Sequence, residues 1–152
     1  MEKLFDIILK NRRVLHRILE ETPKAQLVKI PDGFRNNIWW NIAHVVVTQQ
    51  LLVYKRSGLQ MRIPDKFIDP YKKGSVPEGV PTDEEILEIS AFLLSTVSWM
   101  EEDYKAGLFQ NFDTYTTSLD VTLNSVEDAI AFNTFHEGLH FGSVLALRKA
   151  VK

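Results

Sequence analysis

The sequence predicts an all-α protein, a bundle of four helices. Four stretches carry apolar residues at helical spacing. Three of them open on side chains suited to capping a helix. The one run with strand propensity, residues 109–123, has no evident partner strand. The 152 residues fit a single domain, 1–152, long enough to enclose one core.

Residues 3–21 form the first helix, with Leu4, Ile8, Leu15 and Leu19 on one stripe and Lys10, Arg13, Arg17 and Glu20 largely elsewhere. Asn11 shares that stripe, either as a satisfied boundary residue or as an amide reaching a cavity between helices. His16 lies beside it as an ordinary boundary histidine. Thr22-Pro23 ends the helix, because proline cannot continue the hydrogen-bond ladder and disfavours α geometry in the residue before it. A connector with turn chemistry at Pro31-Asp32-Gly33 follows. Asn36 or Asn37 then caps a second helix running to about Arg56, with Gly58 as its terminator. Its inward stripe is Trp40, His44, Val47, Leu51 and Tyr54, flanked by a more polar row, Asn37, Asn41, His44, Thr48 and Leu51. His44 belongs to both rows and therefore points at other helices.

Residues 58–81 are punctuated by Pro64, Pro70, Gly74, Pro77, Gly79 and Pro81, longer than most loops in compact domains. Phe67, Ile68 and Tyr71 anchor the segment across the body, as a structural strap or as a lid or wall over a pocket. Thr82-Asp83-Glu84-Glu85 is a capping box that opens a third helix to about Lys105, with Gly107 past its end. Its stripe, Ile86, Ile89, Leu93, Val97, Met100 and Tyr104, holds no histidine and reads as scaffold. An irregular crossing segment over 109–123, with a short extended piece, leads to Ser125. That serine caps a fourth helix to about Val151, with Glu127 and Asp128 complementing the dipole in its first turn and Arg148 and Lys149 near its far end. Ala129, Phe132, Asn133, His136, His140, Val144 and Leu147 form its expected inward stripe.

Composition removes several function classes. A net charge of −2 gives no electrostatic reason to bind nucleic acid or an anionic membrane. The chain has no cysteine, so any metal must be held by nitrogen and oxygen. The N-terminus reads straight into a charged amphipathic pattern, and the run Ile42–Val47 is far short of the ~20 residues needed to span a bilayer. A cytoplasmic protein is expected.

Chemistry concentrates in Phe135-His136-Glu137-Gly138-Leu139-His140. On a helix, His136 and His140 lie one turn apart and roughly 40° around the axis from each other, so both imidazoles can reach one ion. His44, on the inward face of a second helix, supplies a third nitrogen across an interhelical spacing of ~8–10 Å. Three neutral histidines leave a divalent ion its full charge and an open position, as catalytic sites do. The same letters spell the H-E-x-x-H motif of zinc peptidases, in which Glu137 would be the general base. Such enzymes usually take a third ligand downstream, and Phe141–Lys152 contains no His, Asp or Glu. The peptidase reading is set aside. Glu137 is left to orient an imidazole, to move a proton or to sit in solvent.

The helix order, the segment Trp40-Asn41-Ile42-Ala43-His44, the Pro/Gly-rich connection and the closing His136-x-x-x-His140-x-Gly142 resemble the DinB/YfiT superfamily over essentially the whole chain. That resemblance implies a four-helix bundle with zinc or nickel on His44, His136 and His140, often in a homodimer. It also implies a small-molecule substrate and, for several relatives, transfer of a low-molecular-weight thiol to an electrophile. Asn11 and Asn41 are then candidates for polar contacts in the pocket or behind the ligands. A metal-dependent hydrolase and a non-enzymatic bundle binding metal or a small ligand are the competing expectations.

Overall fold

The computed structural model describes residues 1–152 and is mostly helical. In chain order it comprises α1 (Glu2–Glu21), α2 (Lys24–Leu27), α3 (Ile38–Gln49), α4 (Ile68–Tyr71), α5 (Asp83–Lys105), a hairpin of β1 (Tyr115–Thr116) and β2 (Thr122–Leu123), and α6 (Val126–Ala150). A π-helical segment, Gln50–Lys55, prolongs α3, and a 3-10 turn, Asp65–Phe67, leads into α4. The long helices close a ring: α1 packs on α5 and α6, and α3 packs on α6 and α5. No helix is long and apolar enough to cross a membrane.

The caps explain where these helices start. Asn37 Oδ1 accepts from the Trp40 N–H at 2.8 Å, and Ser125 Oγ accepts from the Asp128 N–H at 3.2 Å. Thr82 Oγ1 accepts from the Glu85 N–H at 3.1 Å while the Glu85 carboxylate accepts from the Thr82 N–H at 2.8 Å, a complete capping box. Each satisfies backbone donors that the first helical turn leaves unpaired.

Two apolar clusters fill the ring. One gathers Leu15, Ile42, Val46, Leu93, Val144 and Leu147, and the other Phe5, Ile8, Val53, Met100, Ala129 and Ile130. Between them runs a polar layer. Arg12, on α1 between Ile8 and Leu15, is fully buried and paired with Glu137 of α6, which is 1% exposed. Arg12 Nη2 and Nε reach the two Glu137 oxygens at 2.8 Å each, a bidentate pair. The guanidinium also donates to the carbonyls of Val45 at 3.2 Å and Leu93 at 3.4 Å, so one side chain bonds α1 to each of the other long helices. Asn133 Nδ2 adds a 2.7 Å bond to Glu137.

The hairpin corrects the expectation of an unpartnered crossing segment. Tyr115 pairs with Leu123 and Thr116 with Thr122 in antiparallel register. The connecting residues fold over Thr117, whose N–H donates to the Val121 carbonyl at 2.9 Å and whose Oγ1 accepts from the Leu119 and Val121 N–H groups. Asp120 takes a left-handed φ of 60°, which Asp tolerates better than most residues.

Candidate metal centre

His44 comes from α3, and His136 and His140 from successive turns of α6, the helix packed against it. One ring nitrogen from each lies within 4.8 Å of the other two. His44 Nε2 and His136 Nε2 are 3.2 Å apart. Two nitrogens bound to one tetrahedral ion at ~2.0–2.1 Å would be roughly 3.3–3.4 Å apart, so this spacing fits a shared ion. His44 is almost fully buried, and His136 and His140 are half-buried.

The groups behind the rings fix which nitrogen is free. His44 Nδ1 donates to the Tyr71 carbonyl at 2.6 Å, and His140 Nδ1 donates to Asn41 Oδ1 at 2.7 Å. With the proton held on Nδ1, each Nε2 lone pair points away from those acceptors, as in metal sites whose histidines are oriented by acceptors. The Thr48 hydroxyl, 3.2 Å from His44 Nε2, can donate to that lone pair. Asn41 is itself locked, because its amide N–H groups donate to Asn36 Oδ1 at 3.0 Å and to the Asn37 carbonyl at 2.7 Å. His136 Nδ1 is buried with no partner. The Trp40 indole stacks on the His44 ring at 4.5 Å and 12°.

All three imidazoles titrate low. Burial, then the neighbouring His140, His44 and Arg12 charges, pushes His136 down to about 3. Burial and the His44 charge push His140 down to about 4. Burial lowers His44 too, partly opposed by its bond to Tyr71. At pH 7 the cluster is neutral and its lone pairs are available to a cation.

The histidines open on a cavity of about 490 Å³. Trp40, Leu51, Leu52, Phe132 and Leu139 form its apolar walls, Thr48 and Thr117 add hydroxyls, and Lys55, Arg56 and Lys73 add cations. Of the 58–81 connection, Lys73 and Gly74 stand in the wall, while Phe67 is buried in the core. The connection is tied to the site by the Tyr71 carbonyl, by Trp39 Nε1 donating to the Tyr71 hydroxyl at 2.8 Å and by Trp40 Nε1 donating to Ser75 Oγ at 3.0 Å.

Two expectations about site residues are corrected. Glu137 neither sits in solvent nor faces the imidazoles: one residue along a helix is a ~100° rotation, which turns its carboxylate into the core against Arg12. Asn11 is not part of the cavity wall. It is half-buried on α1 and donates to Glu137 Oε2 at 3.4 Å. His16 stands apart from the cluster, 3.2 Å from Glu20. The sequence reading missed Arg12, Lys55, Arg56, Lys73 and the Tyr71 carbonyl. Arg12 had a signal, since it falls four residues after Ile8 and three before Leu15, on the apolar stripe itself.

Comparison with protein-family models finds one described as the DinB superfamily matching residues 7–144. No curated protein matches the chain.

Proposed function

The chain belongs to the DinB superfamily, and from that premise we propose that it is a metal-dependent transferase joining a low-molecular-weight thiol to an electrophilic small molecule. The helical ring is read as the four-helix bundle of that family, acting in the cytoplasm as a homodimer. His44, His136 and His140 hold the divalent ion, zinc or nickel. When bound, the ion supplies Lewis acidity that brings a thiol to its thiolate form at neutral pH.

The protein's own residues do the rest. Tyr71 and Asn41 hold the protons of His44 and His140 on Nδ1, away from the cavity. Trp40, Leu51, Phe132 and Leu139 exclude water from the space where the electrophile sits, which keeps thiolate and electrophile together. The homodimer reading is supported by α6, whose outer face exposes Phe135 and Leu145.

The observation that carries the reading is the convergence of three imidazoles, two of them oriented by acceptors, in the wall of a cavity of about 490 Å³. Metal analysis of untagged protein tests the first half: about one zinc or nickel per chain is expected, and less than ~0.2 with no uptake on reconstitution overturns it. A panel of thiols and electrophiles tests the second. Hydrolysis of an ester or amide without any thiol transfer would replace the transferase with a hydrolase.

A further inference from the structure

The cavity wall is one-sided in charge. Lys55, Arg56 and Lys73 belong to it, and no Asp or Glu does, although the whole chain is net −2. None of the three joins an ion pair within the protein. Asp69, the carboxylate that feels Lys55, is itself hydrogen-bonded to Lys72 at 2.7 Å. The Arg56 guanidinium is not loose: it lies over the Tyr115 ring at 4.3 Å, and Tyr115 is also in the wall. The cations come from two separate parts of the chain, the π-helical extension of α3 and the connection after α4.

A lysine or arginine near a helix C-terminus is by itself ordinary, because it answers the helix dipole. That could account for each cation singly, Lys73 just past α4 included, but not for cations from two separate segments facing one space with no carboxylate among them. The histidines aside, the wall carries three cationic side chains and no carboxylate. A concave, partly dry wall of one sign concentrates the opposite charge.

We infer that Lys55, Arg56 and Lys73 form an anion-recognition rim, so that the small molecule in this cavity carries, besides the end that meets the histidines, a carboxylate or another oxyanion. This rests on the thiol-binding reading above for what the other end does. The rim itself stands without it. An uncharged thiol would leave the cations unanswered, and a cationic one would be repelled.

The test uses two thiols of equal length, 3-mercaptopropane-1-sulfonate and 3-mercapto-1-propanol. They differ in charge, and a sulfonate is a poor metal ligand. Their binding to metal-loaded protein is followed by calorimetry. The sulfonate should bind about tenfold tighter, and its advantage should shrink as salt is raised. The double variant Lys55→Gln/Lys73→Gln should lose most of that advantage while binding the neutral thiol as before. Equal affinity of the wild type for both thiols, or a preference that the variant keeps in full, overturns the rim. Inorganic phosphate titrated into metal-free protein separates the two readings. If neither thiol binds but phosphate does, and the variant loses it, the rim stands and the thiol reading falls.

Discussion

Glu137 shows how one residue's surroundings decide its role. A carboxylate between two histidines invites a catalytic assignment, yet both oxygens are taken by the buried Arg12 and Asn133 and by the half-buried Asn11. Removing one member of such a pair strands a charge in the core, which typically costs about 3–5 kcal/mol. Glu137→Ala should therefore lower stability to urea by that order while the surviving folded fraction still binds metal, which equilibrium unfolding and metal analysis together check. Loss of metal without loss of stability would return Glu137 to the site. Asn41 makes the converse case. It does not line the histidine cavity, but its Oδ1 holds the His140 tautomer, so Asn41→Ala should weaken metal affinity roughly 10–100-fold. Competition against a chelator reads that directly. The depressed histidines also give a pH signature. Their folded values lie below the ordinary 6.5, at about 3 for His136 and about 4 for His140, so on acidification the unfolded chain takes up protons first. Stability of the metal-free protein then rises with pH through this window and is lost as pH falls from near 6.5. His136→Gln should show a shallower loss than the wild type in acid-unfolding titrations.

At the scale of elements, the long helices were legible because each has a 3.6-residue period, and three of the four add a side-chain cap that agrees with it. Their rotation was less so. The buried face of α1 runs through Phe5, Ile8, Arg12 and Leu15, and that of α6 through Ile130, Asn133, Glu137 and Val144. A pattern that counts Arg and Glu as surface residues shifts both stripes toward Asn11 and the histidines, which in fact sit on the flank. The hairpin was illegible for a different reason. Strands of two residues contain no period to read, and what holds them is the turn folded over Thr117. That turn depends on Asp120 at positive φ. Asp120→Gly should leave the Thr117 amide protected from hydrogen exchange, whereas Asp120→Val, which resists that conformation by about 1–2 kcal/mol, should expose it. Similar exchange in both would mean that packing against α6, and not the turn, holds the hairpin.

The whole molecule leaves one face unexplained by its own core. Along α6, Ala131, Phe135, Gly138, Gly142, Leu145 and Ala146 share an outer stripe, and no exposed charge interrupts it between Asp128 and Arg148. Glycine inside a helix costs about 0.5–1 kcal/mol relative to alanine, and an added Cβ at Gly138 or Gly142 would meet nothing within 4 Å in this chain. Intrachain packing therefore does not require those glycines. A second copy would, if two α6 helices cross closely there. Glu127 and Lys149 lie equally far along the helix on either side of Gly138, so an antiparallel pair with its two-fold axis at Gly138 sets the acidic first turn of one copy against the basic last turn of the other. The sequence could name a dimer only through its resemblance to a family; the stripe shows which face would make it. Sedimentation velocity should give twice the 17.5 kDa chain mass. Phe135→Glu/Leu145→Glu, which changes only exposed positions, should give folded monomer, and Lys149→Glu should weaken association more at low salt than at high salt. A wild-type chain that sediments as a monomer, or a double variant that stays dimeric, would assign this face no partner copy.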